Sequence, residues 1–399
     1  MKYDFTTIVD RDIAKRGTGK YRIMKDSKGN PPPKGIVPLS VADMEFKTAP
    51  CIIEAIKAEA DFGVWGYHRL TDSFREACCN WMKTRHNWEI KPEMIVPFEQ
   101  VVPALYCAVW TFTQPGDGIL IQTPDYHHFT GATVNTGRKV LENRLVADEK
   151  GHYTIDWADF EAKAKEAKLF FLCSPQNPTG RVWTREELTR MGDICNKYGV
   201  MVVADEIHHD LIQPGYTHIP YAALGQAYAD NCVVCTSLSK TFNLAGLCYA
   251  SIIIPNAEVR AKFQKQMGLQ AFMHIERFGP VAHEAAYRNG AEWLDELIQV
   301  IKGNFDYCKE FFAKNFPEVV VTEPEGTYLL WCDFRCFGMT DAEMKKFLTD
   351  ECMLYLDNGI EFGEAGSGYQ RINVACPKQT LVDALDRFLA AAEKHGLKK

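Results

Sequence analysis

The chain has 399 residues, 46% of them apolar and 12% aromatic, which is enough for a large core and more than one ordinary domain needs. Its formal net charge of −7 is spread along the chain with no basic block, which excludes nucleic acid as an expected partner. No apolar run approaches the roughly 18 residues of a membrane span, and Met1-Lys2-Tyr3-Asp4-Phe5 lacks a leader-like segment. A cytoplasmic protein without a membrane partner is expected.

Residues 1–45 read as an irregular arm, because Pro31-Pro32-Pro33 removes donors and restricts each preceding residue. Val37 to Met44 reads as a short extended piece. Helices are expected from Ala49 to Phe62, with Pro50 in its first turn, and from Thr71 to Lys83. Strand and helix then alternate: a strand at Glu93–Val96, a helix at Pro103–Phe112, a strand at Gly118–Gln122, and a helix at Phe129–Thr136. The run Glu161 to Lys168 reads as an exposed helix face. The strand Leu169–Cys173 ends in the turn-rich Ser174-Pro175-Gln176-Asn177-Pro178-Thr179-Gly180. Thr184-Arg185-Glu186-Glu187 is a capping box that opens a helix to Tyr198. Val200–Ala204, Cys232–Cys235 and Ser251–Ile254 are further buried strands.

Short continuous apolar strands separated by helices imply an α/β fold with a mostly parallel sheet covered on both faces. Beyond about residue 285 the pattern changes. Helices at Glu292–Phe316, Asp341–Asp350 and Gln379–His395 alternate with strands at Val319–Val321, Tyr328–Trp331 and Gln370–Val374, which suits a smaller α+β domain. The expected division is an N-terminal arm over 1–45, a large domain over 46–285 and a small domain over 286–399.

The fourteen cysteines read as reduced and mostly buried thiols. Cys232 and Cys235 have CxxC spacing, but within a strand they face opposite ways. His127-His128 and His208-His209-Asp210 lack the i, i+4 spacing of a helical zinc motif, so no metal is expected.

Ligands on parallel sheets bind at the carboxyl ends of the strands, where Tyr126, Asn177, Asp205 and Lys240 all fall. Lys240 follows a buried strand and sits among Ser237, Ser239 and Thr241. Desolvation there lowers an amine's pKa and makes it a nucleophile toward an aldehyde. Pyridoxal 5'-phosphate, an aromatic aldehyde, needs a buried carboxylate beside its ring nitrogen. Asp205 is the candidate and Glu206 its rival. Asn177 and His208 are candidate donors to the phenolic oxygen, and Tyr126 offers a ring face. Val101 and Val102, ahead of the Pro103 helix, and Ser237 suit the phosphate.

Six segments in order carry a resemblance: Val41-Ala42-Asp43-Met44-Glu45-Phe46, Ser174 to Gly180, Asp205-Glu206-Ile207-His208, Ser239 to Gly246, Pro324-Glu325-Gly326-Thr327-Tyr328 and Gln370-Arg371-Ile372-Asn373. The chain resembles fold-type I pyridoxal-phosphate enzymes of the class I/II aminotransferase superfamily, and within it the bacterial cystathionine β-lyase (C–S lyase) branch. The resemblance implies a seven-stranded, mostly parallel sheet between helices in the large domain. It makes Lys240 the catalytic Schiff-base lysine, Asp205 the partner of the ring nitrogen, Asn177 the donor to the phenolate, Tyr126 the stacked ring and Ser237 a phosphate ligand. Arg371 would hold the substrate α-carboxylate, with Ala42 alongside, and Tyr67 would reach the neighbouring subunit's phosphate in a homodimer with shared active sites. Aminotransferases usually carry a phosphate-binding arginine eight residues after the lysine; here that residue is Cys248, a departure that favours the lyase branch. The implied activity is β-elimination from L-cystathionine or another S-substituted cysteine, giving pyruvate, ammonia and a thiol. A class I/II aminotransferase and a regulatory protein that binds the same cofactor are the alternatives.

Overall fold

The computed structural model describes residues 1–11, 16–25, 28–31, 34–272 and 274–398, so Pro32 and Pro33 of the turn-rich arm lie outside the described residues. Seven strands form the large sheet: β1 (Ile95–Phe98), β2 (Gly118–Thr123), β3 (Lys139–Arg144), β4 (Ala167–Cys173), β5 (Met201–Asp205), β6 (Cys232–Thr236) and β7 (Ala250–Ile253). Their spatial order is β1-β7-β6-β5-β4-β2-β3. Every pair from β6 to β3 is parallel, and β7 runs antiparallel to both β6 and β1.

Strand alternation explains the unbroken apolar runs, because both faces of the sheet are covered. Ile119, Ile121, Phe171, Val203, Val233 and Ile252 pack with Ala104, Leu105 and Ala108 of helix α1 (Val101–Phe112). Leu120, Phe170, Leu172, Val202, Ala204 and Val234 turn the other way, into a core shared with Leu188 and Met191 of α2 (Arg185–Tyr198). Each fully buried large side chain contributes about 1.5–3 kcal/mol to folding. Thr184 caps α2 in the expected capping box.

A smaller antiparallel sheet lies toward the C-terminus: β8 (Val320–Val321), β9 (Leu329–Asp333), β10 (Asp357–Asn358) and β11 (Tyr369–Asn373), in the order β8-β9-β11-β10. Helices Ala291–Asn315 and Lys378–Lys394 bury Leu297, Ile301, Phe305, Leu381, Leu385 and Phe388 in the same core. The arm returns to this sheet. Val37–Pro38 pairs with Leu354–Tyr355, and Leu39 O accepts from Asn373 N at 2.8 Å.

Several boundaries differ from the sequence expectation. Helix α1 starts at Val101 rather than Pro103, because a proline in the first turn forfeits a donor that has no intrahelical partner anyway. The second expected helix runs Asp72–His86, carried past Lys83 until Asn87 takes up φ +49° and donates to Met82 O. Glu161–Lys168 is not one exposed helix face. The helix Trp157–Ala164 ends there, and Ala167 and Lys168 already belong to β4, with Ala164 and Ala167 buried. The register with β2 decides this, since Gly118 pairs with Ala167.

Candidate active site

Strands β1, β2, β4, β5 and β6 end at one edge of the sheet and deliver Val101 and Val102, Tyr126, Asn177, Asp205 and Lys240 to two abutting cavities of about 140 and 40 Å³. Lys240 Nζ donates to Ala42 O at 2.8 Å, and Tyr328 Oη donates to the same oxygen at 2.9 Å. Burial pushes the Lys240 amine down to about 8; Arg371 adds to this, while Asp43 and Asp205 oppose it. The carbonyl that receives Lys240 is set by strained backbone. Val41 and Thr327, both β-branched, have φ of +56° and +66° and precede Ala42 and Tyr328. Val41 is held there by its N–H on the Asp357 carboxylate and by Asn373 Nδ2 on its carbonyl.

Asp205 ends β5, in register with Cys173 and Cys235. Its Oδ1 accepts from Ile207 N at 3.2 Å, and among the described residues no cation forms a salt bridge with it. Burial pushes its carboxyl up to about 7. Glu206, its rival in sequence, faces away, accepting from Tyr221 N at 2.7 Å and pairing with His218 Nε2 at 3.0 Å. His208 also lines the cavity. Burial, with Lys240 and Arg371 nearby, holds its imidazole well below the usual range, and its buried Nδ1 has no partner.

Arg371 Nη1 donates to Asn177 Oδ1 at 2.7 Å, which leaves the Asn177 amide nitrogen as a donor. Its Nε and Nη2 both donate to Asp357 Oδ2, at 3.0 and 2.6 Å. Sequence reasoning missed Asp357, which lies 14 residues from Arg371 and meets it as its cross-strand partner in β10 and β11. It missed the Tyr328 hydroxyl as well, although the Pro324–Tyr328 segment was a signal for it.

At the other end of the cavity the first turn of α1 presents the amides of Val101 and Val102, beside Gln100, Ser237, Ser239 and Tyr249. These valines lie inside the helix rather than ahead of it. Ser237 is at this end, but its hydroxyl donates to Tyr249 O at 2.7 Å and accepts from Ser239 N at 3.1 Å. Gln100 Nε2 contacts Cys248 Sγ at 3.2 Å. Tyr67 is not gathered into the cavity. It is 97% exposed, with its ring 5.7 Å from that of His274.

Residues 34–388 match the family described as aminotransferase class I and II. The chain belongs to this family. Within the aminotransferase class I and II family, it is 40% identical over 357 residues to cystathionine beta-lyase PatB of Bacillus subtilis, covering 89% of this chain and 92% of that one. It is 40% identical to cystalysin from Treponema denticola, a crystal structure containing pyridoxal 5'-phosphate, with a TM-score of 0.95 over 99% of this chain and 100% of that one. A pyridoxal-phosphate-bound C–S lyase from Staphylococcus hominis superposes with a TM-score of 0.89 at 29% identity over 98% of each chain.

The cavity of this family member fits such a group on its own features. A buried, unpaired carboxylate calls for a cation, and a protonated ring nitrogen is one of suitable shape. The orphaned His208 Nδ1 and the amides of α1 add polar partners. At the ring face stands Tyr126, half-buried.

Proposed function

We propose that the chain is a pyridoxal-phosphate-dependent carbon–sulfur β-lyase that cleaves L-cystathionine or a related S-substituted cysteine to pyruvate, ammonia and a thiol. The observation that carries this reading is the Lys240 amine, lowered to about 8 and lying in one cavity with Asp205 and with Asn177, whose Oδ1 accepts from the Arg371 guanidinium. The relatives named as cystathionine beta-lyase and C–S lyase support it.

The bound cofactor supplies an aldehyde for the substrate amine and an electron-withdrawing ring that stabilises negative charge at Cα. Lys240 Nζ would take the Cα proton of the bound substrate as general base. Asp205 holds the proton on the ring nitrogen. Arg371 pairs with the substrate carboxylate in the planar geometry that favours arginine over lysine. Asp357, on the far side of the same guanidinium, keeps it aimed. Asn177 would offer its amide N–H to the phenolic oxygen, and the amides of Val101 and Val102 with the Ser237–Ser239 turn would hold the phosphate. Lys240 then carries a proton to the departing sulfur, whose thiol pKa of about 8.5 makes it a good leaving group.

A homodimer belongs to this reading. Val64, Trp65 and Tyr67 form an exposed apolar stretch of the kind that a second subunit covers, with Tyr67 reaching the partner's cavity. The division into 1–45, 46–285 and 286–399 and a cytoplasmic location complete it. Among the described residues no helix is long and apolar enough to cross a membrane.

The family also contains aminotransferases, so a transaminase is the second reading. Purified protein incubated with L-cystathionine and no added keto acid separates the two. Sustained pyruvate release over many turnovers is expected. Conversion of no more than one equivalent per chain, with the amino group retained by the enzyme, overturns the lyase.

A further inference from the structure

Next to Glu206, which pairs with His218, the chain builds a second polar centre that the proposed reaction does not use. Three histidines from distant parts of the sequence converge there. His86 ends the helix Asp72–His86, His209 follows β5, and His218 lies in the loop after it. Their ring centroids are 4.4, 5.8 and 6.0 Å apart. Asp210 lies between two of them, with Oδ1 2.9 Å from His86 Nε2 and Oδ2 3.2 Å from His209 Nε2. One ligand atom from each of His86, His209 and Asp210 falls within 4.8 Å of the others. Tetrahedral zinc with bonds of about 2.0–2.1 Å sets its ligand atoms about 3.3 Å apart, so the separations here need shifts of only a fraction of an ångström to about 1.5 Å.

The surroundings also have the character of a metal site. Asp210 is oriented by Trp81 Nε1 at 3.0 Å and Thr241 Oγ1 at 2.9 Å, the supporting hydrogen bonds that metal carboxylates use. His218 gives one nitrogen to Glu206 at 3.0 Å, a carboxylate–histidine pair, and its buried Nδ1 has no partner. His209 Nε2, on a side chain 2% exposed, has no hydrogen-bond partner of acceptable geometry. A cavity of about 290 Å³ adjoins the cluster and gives water and ions a way in. The nearby cation on its wall, Arg85, is already paired with Asp295 at 2.8 Å.

We propose that His86, His209 and Asp210 form a binding site for a divalent transition-metal ion of the zinc class, with His218 flanking it and solvent from the adjoining cavity completing the coordination. The sequence alone argued against a metal because His209-Asp210 lacks a helical partner at i+4; the missing ligand comes instead from His86, 124 residues from Asp210. The bound ion would tie the helix Asp72–His86 to the segment after β5 and, through Asp210 and Thr241, to the loop that carries Lys240.

The test uses cofactor-loaded protein stripped with a chelator and titrated with zinc chloride, read by calorimetry and by melting temperature. One equivalent per chain and a concentration-dependent rise in Tm are expected for wild type. His86→Ala and His209→Ala should each weaken binding at least about tenfold. His209→Gln, which keeps the volume and polarity, serves if an alanine variant fails to fold, and should show the same loss with an unchanged metal-free circular dichroism spectrum. Absence of zinc binding by wild type overturns the proposal, as does undiminished binding in the folded variants, which would put the ion at one of the cysteines or the surface.

Discussion

Asp205 and Glu206 are neighbours in the chain, both carboxylic and both buried, yet they meet different surroundings. Strand alternation sends Asp205 toward Lys240 and Tyr126 and sends Glu206 toward His218 and Tyr221. What separates them is completeness. Glu206 accepts from a backbone amide and pairs with an imidazole, whereas Asp205 accepts from one backbone amide and, among the described residues, forms no salt bridge. A buried carboxylate left short of partners is costly unless a ligand completes it. Of these two carboxylates the incomplete one marks the cofactor side, and the satisfied one faces the histidine cluster, where His209 Nε2 and His218 Nδ1 stay open.

Four experiments bear on that contrast. The largest effect should follow Lys240→Ala, which removes both the cofactor anchor and the general base. Pyruvate formation from L-cystathionine is expected to fall by about 10⁴-fold or more, and a variant retaining a tenth of wild-type turnover would falsify the role assigned to this lysine.

The second is a pH effect on the cofactor-free protein. The Asp205 carboxyl is raised from 3.8 to about 7, so the folded state holds a proton that the unfolded state releases across that interval. Its stabilising contribution is present below about pH 4 and is lost as pH rises to 7, by at most about 4 kcal/mol. Lys240, at about 8, stays protonated in both states over this window and adds no slope. Buried histidines such as His86 and His283, held down to about 4, contribute the opposite slope in both proteins, so urea unfolding at stepped pH should show wild type losing stability relative to Asp205→Asn as pH rises through this window. Equal slopes in the two proteins would mean that Asp205 is not the unpaired group.

Third, Asp205→Asn and Glu206→Gln should act on different quantities. The first is expected to lower kcat about 10²-fold with little loss of stability. Glu206→Gln should cost about 1–3 kcal/mol of folding stability while kcat holds. An equal loss of kcat in both variants would erase the distinction drawn here.

The smallest effect concerns the substrate carboxylate. Arg371→Lys keeps the charge but loses the planar fork that spans Asn177 and Asp357. KM for L-cystathionine should rise about tenfold with a smaller change in kcat. An unchanged KM would point to another carboxylate anchor.

The sheet was legible in the sequence because strands covered on both faces must be apolar throughout, and short runs such as Leu169–Cys173 and Cys232–Cys235 have little other explanation. The capping box at Thr184 marked its helix for the same local reason. The ends of elements were less legible. Helix α1 starts two residues before Pro103 because a first-turn proline is tolerated, and where β4 takes over from the preceding helix depends on pairing with a strand distant in the chain, which local propensity does not encode.

Of the candidate site, the sequence by itself determined the residues that stand at strand ends: Lys240, Asp205, Asn177 and Tyr126. Their positions follow from local alternation of strand and turn, and parallel strands bring their carboxyl ends to one edge. Only the tertiary structure decided what those groups meet. It set Lys240 on the Ala42 carbonyl, placed Asp357 opposite Arg371 through antiparallel register, and drew His86 to His209 and Asp210. The first and last of these contacts join residues more than a hundred positions apart, the second depends on strand register, and single-sequence periodicity records neither packing nor register.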